Sequence, residues 1–175
     1  VFGENYQWGY FPSVGAAYRL TKENFMANQN IFSELKLRAS WGETGNSEGI
    51  GPFNSKLVYG ITGTYYNNGT QDNSYGPLQG ANPDLRWEKT TTTNFGLDFT
   101  ILKGLFSGSI DWYEKVTEDM LFQYNVSPAL VPGGRIWANG GSINNTGIEF
   151  MLTANAVRTK DFSWISTFNL AHNKN

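Results

Sequence analysis

Apolar and polar residues alternate along six segments of the chain, and helical periodicity is nearly absent, so the pattern predicts strands. In "PSVGAAYRL", Pro12, Val14, Ala16, Tyr18 and Leu20 share one face, with Ser13, Gly15, Ala17 and Arg19 on the other. "LKLRASWG" alternates Leu35, Leu37, Ala39 and Trp41 with Lys36, Arg38, Ser40 and Gly42. "TNFGLDFTILKGLFSGSIDWY" holds two strands around Lys103-Gly104, a dipeptide suited to a two-residue hairpin turn. Antiparallel pairing there sets Ile101 against Phe106, Phe99 against Gly108, Leu97 against Ile110 and Phe95 against Trp112. "GIEFMLTA" and "FSWISTFNL" complete the set. Pairing these two about Arg158 predicts Leu152 opposite Trp164 and Ile148 opposite Phe168.

The apolar faces of these segments carry no charged residue, whereas the opposite faces hold Arg19, Lys36, Arg38, Asp98, Asp111 and Glu149. A half-buried soluble sheet shows the same split, so the connections decide. Short links (21–34, with one helical turn expected in "KENFMA", 102–105 and 155–161) alternate with two long ones, 43–90 and 117–144. The long links are rich in Gly, Asn, Ser, Tyr and Pro and read as loops without strands. Compact soluble domains rarely carry structureless loops of that length. Short turns at one end and long loops at the other predict an all-β, antiparallel up-and-down transmembrane barrel segment. Aromatics fall near both ends of the apolar faces. Trp41, Phe95 and Trp112 lie toward the long loops, and Tyr18, Phe106, Phe162 and Trp164 toward the short turns. That spacing suits two girdles bounding a lipid-facing band about 25 Å tall.

Composition narrows the classes. Charged residues make up 16% of 175, below the roughly 25% usual in soluble domains. Thirteen basic against fifteen acidic residues give a net charge of −2, without the basic stripe a nucleic-acid binder needs. Cysteine is absent, so no disulfide framework or thiolate site is available. No apolar run approaches the ~18 residues of a spanning helix. The chain starts at Val1 and ends at Asn175 within a strand pattern, as expected of a window from a longer protein.

Candidate chemistry is sparse. His172 is the only histidine, so neither a zinc ligand set nor a Ser-His-Asp triad is expected. Glu118 and Asp119 read as solvated loop carboxylates, and the Gly-rich stretches lack the GK[ST] of a phosphate loop. No catalytic, metal or cofactor site is predicted. Asn68-Gly69-Thr70, Asn125-Val126-Ser127 and Asn144-Asn145-Thr146 fit the N-glycosylation pattern, which would carry no weight were the protein bacterial. The loop aromatics Tyr59, Tyr65, Tyr66, Tyr75 and Trp137 lie among Asn, Gln and Asp residues. Such rings stack on sugar faces while amides bond hydroxyls, and they equally suit packing of loops on each other or on a partner. In "NPDLRWEK", Asn82-Pro83-Asp84 reads as a turn, with Trp87 near the outer interface and Asp84 or Arg86 as possible contacts. The candidate ligand-binding set is therefore Tyr65, Tyr66, Tyr75, Asp84, Trp87 and Trp137. The charges facing the lumen would line a path or form cross-strand pairs.

Five blocks also carry a family resemblance: "GYFPSVGAAYRLTKENFM", "LKLRASWGETGN", "NPDLRWEKTTTTNFGLDF", "GSIDWYEKVTEDML" and "NNTGIEFMLTANAVRTKDFSWISTFNLAHNKN". In order and spacing, over about two thirds of the chain, they resemble the SusC/RagA family, TonB-dependent outer-membrane transporters of Bacteroidota. The resemblance implies a barrel of roughly 22 strands with an N-terminal plug. It implies import of oligosaccharides or, in some members, peptides, driven through the TonB complex, with a SusD-like surface lipoprotein as lid. Residues 1–175 would then be about six strands of one barrel domain, without the plug, the TonB-contacting segment and the terminal strands. The competing expectation is a secreted soluble β-sandwich, such as a carbohydrate-binding module, in which two apolar sheets meet. A passive porin or a siderophore transporter would share the barrel but not these blocks.

Overall fold

The computed structural model describes residues 1–175. It contains ten strands: β1 (Ser13–Arg19), β2 (Phe32–Asn46), β3 (Val58–Asn67), β4 (Thr70–Gln79), β5 (Glu88–Ile101), β6 (Phe106–Glu118), β7 (Leu121–Asn125), β8 (Arg135–Asn139), β9 (Ser142–Arg158) and β10 (Ser163–Lys174). Six of them form one open sheet in the order β1-β2-β5-β6-β9-β10, while β3-β4 and β7-β8 are separate two-stranded sheets. The expectation that the two long links lack strands is thus corrected. Alternation missed these four strands because β7 and β8 are only five residues each and the β3–β4 pairing is broken by two register shifts. The turn between β3 and β4 supplies the signal instead. Asn68 (φ 49°) and Gly69 (φ 85°) both adopt the left-handed region, and Asn67 pairs with Thr70, which is the geometry Asn-Gly favours in two-residue hairpins.

The chain divides into two compact units, one of residues Pro12–Glu43, Thr91–Val116 and Ile143–Asn175, the other of Val1–Phe11, Thr44–Thr90 and Thr117–Ser142. We call them the wall unit and the loop unit.

In the wall unit, β1 and β2 pair with Val14 opposite Trp41, Ala16 opposite Ala39 and Tyr18 opposite Leu37, so the apolar sets coincide on one face. Between β5 and β6 the turn falls on Lys103 (φ 57°) and Gly104 (φ 91°), closed by Leu105 N–H donating to the Leu102 carbonyl at 3.2 Å. Phe95 and Trp112 stack at 5.8 Å, as the hairpin reading requires. The β9–β10 register differs from expectation. Leu152 lies opposite Phe168 and Ile148 opposite His172, with a register shift between Trp164 and Ile165. The chain reverses near Lys160, where Thr159 N–H donates to the Phe162 carbonyl at 2.8 Å, rather than at Arg158. A shift by an even number of residues leaves every side chain on its face, so alternation cannot detect it.

The other face of the wall is held by charge. Arg38 on β2 donates to Asp98 on β5, Nε to Oδ2 at 2.9 Å and Nη2 to Oδ1 at 2.8 Å, and Nη2 also reaches Asp111 on β6 at 2.7 Å. Lys36 Nζ sits 2.7 Å from Asp98 Oδ2. Arg38 crosses β5 over Gly96, where a Cβ would lie 2.5 Å from Asp111 Oδ1 and 2.7 Å from Arg38 Nη2. Only glycine leaves room for this three-strand brace.

No large hydrophobic side chain is buried in the wall unit. The chain's two buried hydrophobics, Phe2 and Leu85, both belong to the loop unit. On the wall's apolar face Val14, Phe95 and Phe168 remain 66%, 54% and 57% exposed. Nothing within the wall unit covers this face, whereas a sandwich would have to cover it with a second apolar sheet.

Candidate functional site

The loop unit is organised around the segment Asn82–Trp87. Leu85 is fully buried, and its carbonyl accepts from Gly3 N–H at 2.8 Å. A Cβ on Gly3 would lie 1.7 Å from the Pro83 oxygen, so the N-terminal segment meets this turn backbone to backbone. Asn82 fixes the turn from three sides. Its Oδ1 accepts from Asp84 N–H at 3.0 Å, its Nδ2 donates to the Trp137 carbonyl at 2.8 Å, and its N–H donates to Ser55 O at 3.0 Å. An Asn that bonds its own backbone two residues on is the local reason the chain reverses here.

Asn139, at the end of β8, performs a similar task. Its Oδ1 accepts from Arg86 N–H at 2.9 Å, and its Nδ2 donates to the carbonyls of Arg86 and Asp119, each at 2.8 Å. Arg86 forms a bidentate pair with Asp119, at 2.9 Å and 2.7 Å. Hydrogen bonding to that carboxylate raises the guanidinium pKa further above its ordinary value, so Arg86 stays cationic. Near the N-terminus the Lys56 ammonium, 3.0 Å from Glu4, pulls that carboxyl below its ordinary value.

These contacts sort the candidate residues. Trp87 packs on Phe2 at 4.3 Å and edge-on to Phe11 at 5.7 Å, with its indole N–H buried and without a partner. Trp137 sits within β8 opposite Gln123, and its indole N–H reaches the Asn54 side-chain oxygen at 3.2 Å when that amide is oriented to satisfy both ends. Trp87 and Trp137 are thus joined to the packing of the unit. Asp84 is exposed, its N–H closing the Asn82 turn.

Tyr65, Tyr66 and Tyr75 stand apart from that packing, on the β3–β4 hairpin. Its base is anchored by Gln79, whose Nε2 donates to Phe53 and Lys56 carbonyls at 3.0 Å each. Farther out, Tyr59 pairs with Pro77, Ile61 with Tyr75 and Tyr66 with Gln71. A bulge between Ile61 and Gly63 keeps Tyr59, Ile61, Tyr66 and Tyr75 on one face, together with Thr64, Gln71 and Asn73. Tyr66 and Tyr75 are 77% and 70% exposed. Tyr65 lies on the reverse face opposite Asp72, the only charged residue of the two strands. The tyrosine face is therefore uncharged, aromatic and rich in amide and hydroxyl groups. Ile61, absent from the candidates, and Tyr59, left outside the final set, join it because of the bulge, which breaks the simple period of two. The Asn68-Gly69 turn was the legible sign that these tyrosines share a hairpin.

An open, single-layer sheet with an uncovered apolar face, short turns and elaborated long loops defines a piece of a membrane β-barrel wall. The comparisons with known proteins agree. The family model "TonB dependent receptor-like, beta-barrel" matches residues 1–174. TonB-dependent receptor P39 of Formosa agariphila is 38% identical over 174 residues, 99% of this chain and 16% of that protein. TonB-dependent receptor SusC of Bacteroides thetaiotaomicron is 35% identical over 176 residues, 99% of this chain and 18% of that protein. Among solved structures, the RagAB peptide importer in its open-open state superposes with a TM-score of 0.84 at 31% identity, over 99% of this chain and 18% of that one. The chain belongs to the TonB-dependent receptor-like β-barrel family, in its SusC/RagA branch. It spans 16–18% of the length of the curated relatives it matches. The β-sandwich expectation is set aside.

Proposed function

We propose that this chain is wall and outer loops of an outer-membrane, TonB-dependent importer of large nutrients. Residues 1–175 would be part of a single barrel domain. The ligand class we favour is a neutral oligosaccharide, with peptides second. The observation that carries this reading is the uncharged face of the β3–β4 hairpin, where Tyr59, Tyr66 and Tyr75 stand exposed beside Gln71 and Asn73. Flat rings suit the apolar faces of pyranoses, and neighbouring amides suit their hydroxyls. The peptide alternative draws on the solved relative, the RagAB peptide importer. A SusD-like lipoprotein would cover the loops, and TonB would act through parts of the protein outside this chain. No covalent chemistry is needed: the ligand binds at the outer face and passes through the lumen. Asp84, Trp87 and Trp137 then hold the loops in place, while the hairpin tyrosines touch the ligand.

The test uses the full-length protein in its native host or reconstituted with its lipoprotein. Binding of a panel of neutral oligosaccharides and a panel of peptides is measured by calorimetry for the parent and a Tyr59→Ala, Tyr66→Ala, Tyr75→Ala triple variant. Loss of oligosaccharide binding with an unchanged heat-modifiable gel band is the expected result. Oligosaccharide binding unaltered in the triple variant would refute the assignment to this face, and binding confined to peptides would refute the ligand class.

A further inference from the structure

One level of the wall unit's polar face carries no charge on any of its six strands. Gly15 on β1 pairs with Ser40 on β2, and Asn94 on β5 donates from Nδ2 to Ser40 Oγ at 3.3 Å. The turn at Lys103 and Gly104 sets Asn94 beside Tyr113 on β6. The Tyr113 hydroxyl donates to Asn173 Oδ1 on β10 at 2.8 Å. In the sheet β10 lies two strands from β6, about 10 Å at the usual spacing, so the ring must lie across β9 to make this bond. It does so over Gly147, the partner of Asn173, where a Cβ would stand 2.7 Å from both Cζ and Oη of Tyr113. The phenol is thus seated on bare backbone and tied at its hydroxyl, with one ring face open. Along the same level, on β1, β2 and β5, runs a recess of about 330 Å³, lined on the polar face by Gly15, Ala17, Arg38, Ser40, Asn94 and Gly96. The Arg38 charge is met there by Asp98 and Asp111.

We propose that Tyr113, with this recess beside it, binds one sugar residue of the ligand inside the barrel, at a site of the wall unit additional to the hairpin tyrosines. The inference rests on the importer reading above, in which the wall's polar face lines the lumen and the ligand is a neutral oligosaccharide. A ring laid across the sheet offers a flat apolar surface to a pyranose face. Asn94 Oδ1 and Asn173 Nδ2 are free of protein partners and suit its hydroxyls. A charged ligand finds no unmatched charge at this level, and an aliphatic one would leave the amides unpaired. One ring and a few hydrogen bonds make a weak site. Passage through a pore needs such a site, favourable enough to draw the ligand in and weak enough to release it.

The full-length protein is expressed in its native host with its lipoprotein. Initial uptake of tritiated linear gluco-, manno- and xylo-oligosaccharides is measured beside calorimetric binding of the same probes to the purified complex. Tyr113→Leu keeps apolar bulk over Gly147 but offers no flat ring. Its uptake at subsaturating probe should fall about fivefold, as for one lost ring contact, with calorimetric affinity and the heat-modifiable band unchanged. Gly147→Ala, which lifts the ring from its seat, should lower uptake in the same way, whereas Tyr113→Phe should retain it. If Tyr113→Leu loses the band, Gly147→Ala takes its place. Uptake equal to the parent's in Tyr113→Leu overturns this site and leaves the importer reading intact. So does a gain of vancomycin sensitivity in that variant, which would make the ring a seal of the barrel and not a step on the path. Parent cells that take up none of the oligosaccharides refute the ligand class proposed above, and this site with it.

Discussion

The wall unit and the loop unit stabilise similar lengths of backbone by different physics. In the wall, cross-strand ladders satisfy the backbone, an ionic brace crosses one face and the other face stays uncovered by protein. In the loop unit the ladders are confined to two separate hairpins, and single side chains join the rest. Asn82 and Asn139 each bond two separate stretches of main chain, and Gln79 bonds several carbonyls of the one stretch from Phe53 to Lys56, in the unit that holds the one fully buried side chain, Leu85. A sheet in hydrocarbon must satisfy every peptide group through its neighbours. Irregular backbone meeting water can instead use amide side chains and reserve its remaining surface for ligands.

This difference can be broken at either end. The largest effect is expected from Leu85→Ala, which empties the centre of the loop unit and costs about 2–5 kcal/mol there. Hydrogen exchange on the full-length protein should show the Gly3 amide opening at least about 30-fold more often, with the heat-modifiable band retained. Loss of that band would mean that loop and wall are not separable in stability. Next comes Gly96→Leu, which forces Arg38 off Asp111 and costs about 1–3 kcal/mol as an overpacked site. Its denaturation midpoint should fall, and adding Asp111→Asn should lower it little further. Additive losses would show that Gly96 serves something other than the brace.

Asn139→Ala removes three hydrogen bonds to main chain at a half-buried position. A loss of about 2 kcal/mol is expected, read as faster exchange of the Arg86 amide with the wall strands unaffected. The smallest stability effect belongs to Tyr66→Ser, within about 0.5 kcal/mol, as for an exposed side chain without packing partners. Its consequence should appear in ligand binding alone. A thermal shift as large as that of Asn139→Ala would place Tyr66 in the packing of the protein and out of the ligand face.

Much of the wall was legible. Alternation identified both faces of all six strands, and the Lys103-Gly104 dipeptide fixed its turn, because each side chain's face follows from a period of two. The β9–β10 register was not legible, since a slip of four residues preserves that period. The loop unit was less readable still. Asn82-Pro83-Asp84 announced its turn, but nothing local shows that Asn139, more than fifty residues away, bonds the backbone of Arg86. The candidate aromatics Trp87 and Trp137 have the same composition of neighbours as the tyrosines. Only contacts distant in sequence separate rings that pack from rings that stand free.

The sequence by itself determined the class: strands, an uncharged face, short turns against long loops, and the blocks shared with SusC/RagA relatives. These are local or periodic properties, written residue by residue. Tertiary structure decided which long-loop residues form hairpins, how Arg38 passes over Gly96, and which aromatic side chains remain exposed. Those outcomes depend on the pairing of residues far apart in the chain, and a pattern within one strand contains no information about its partner's register.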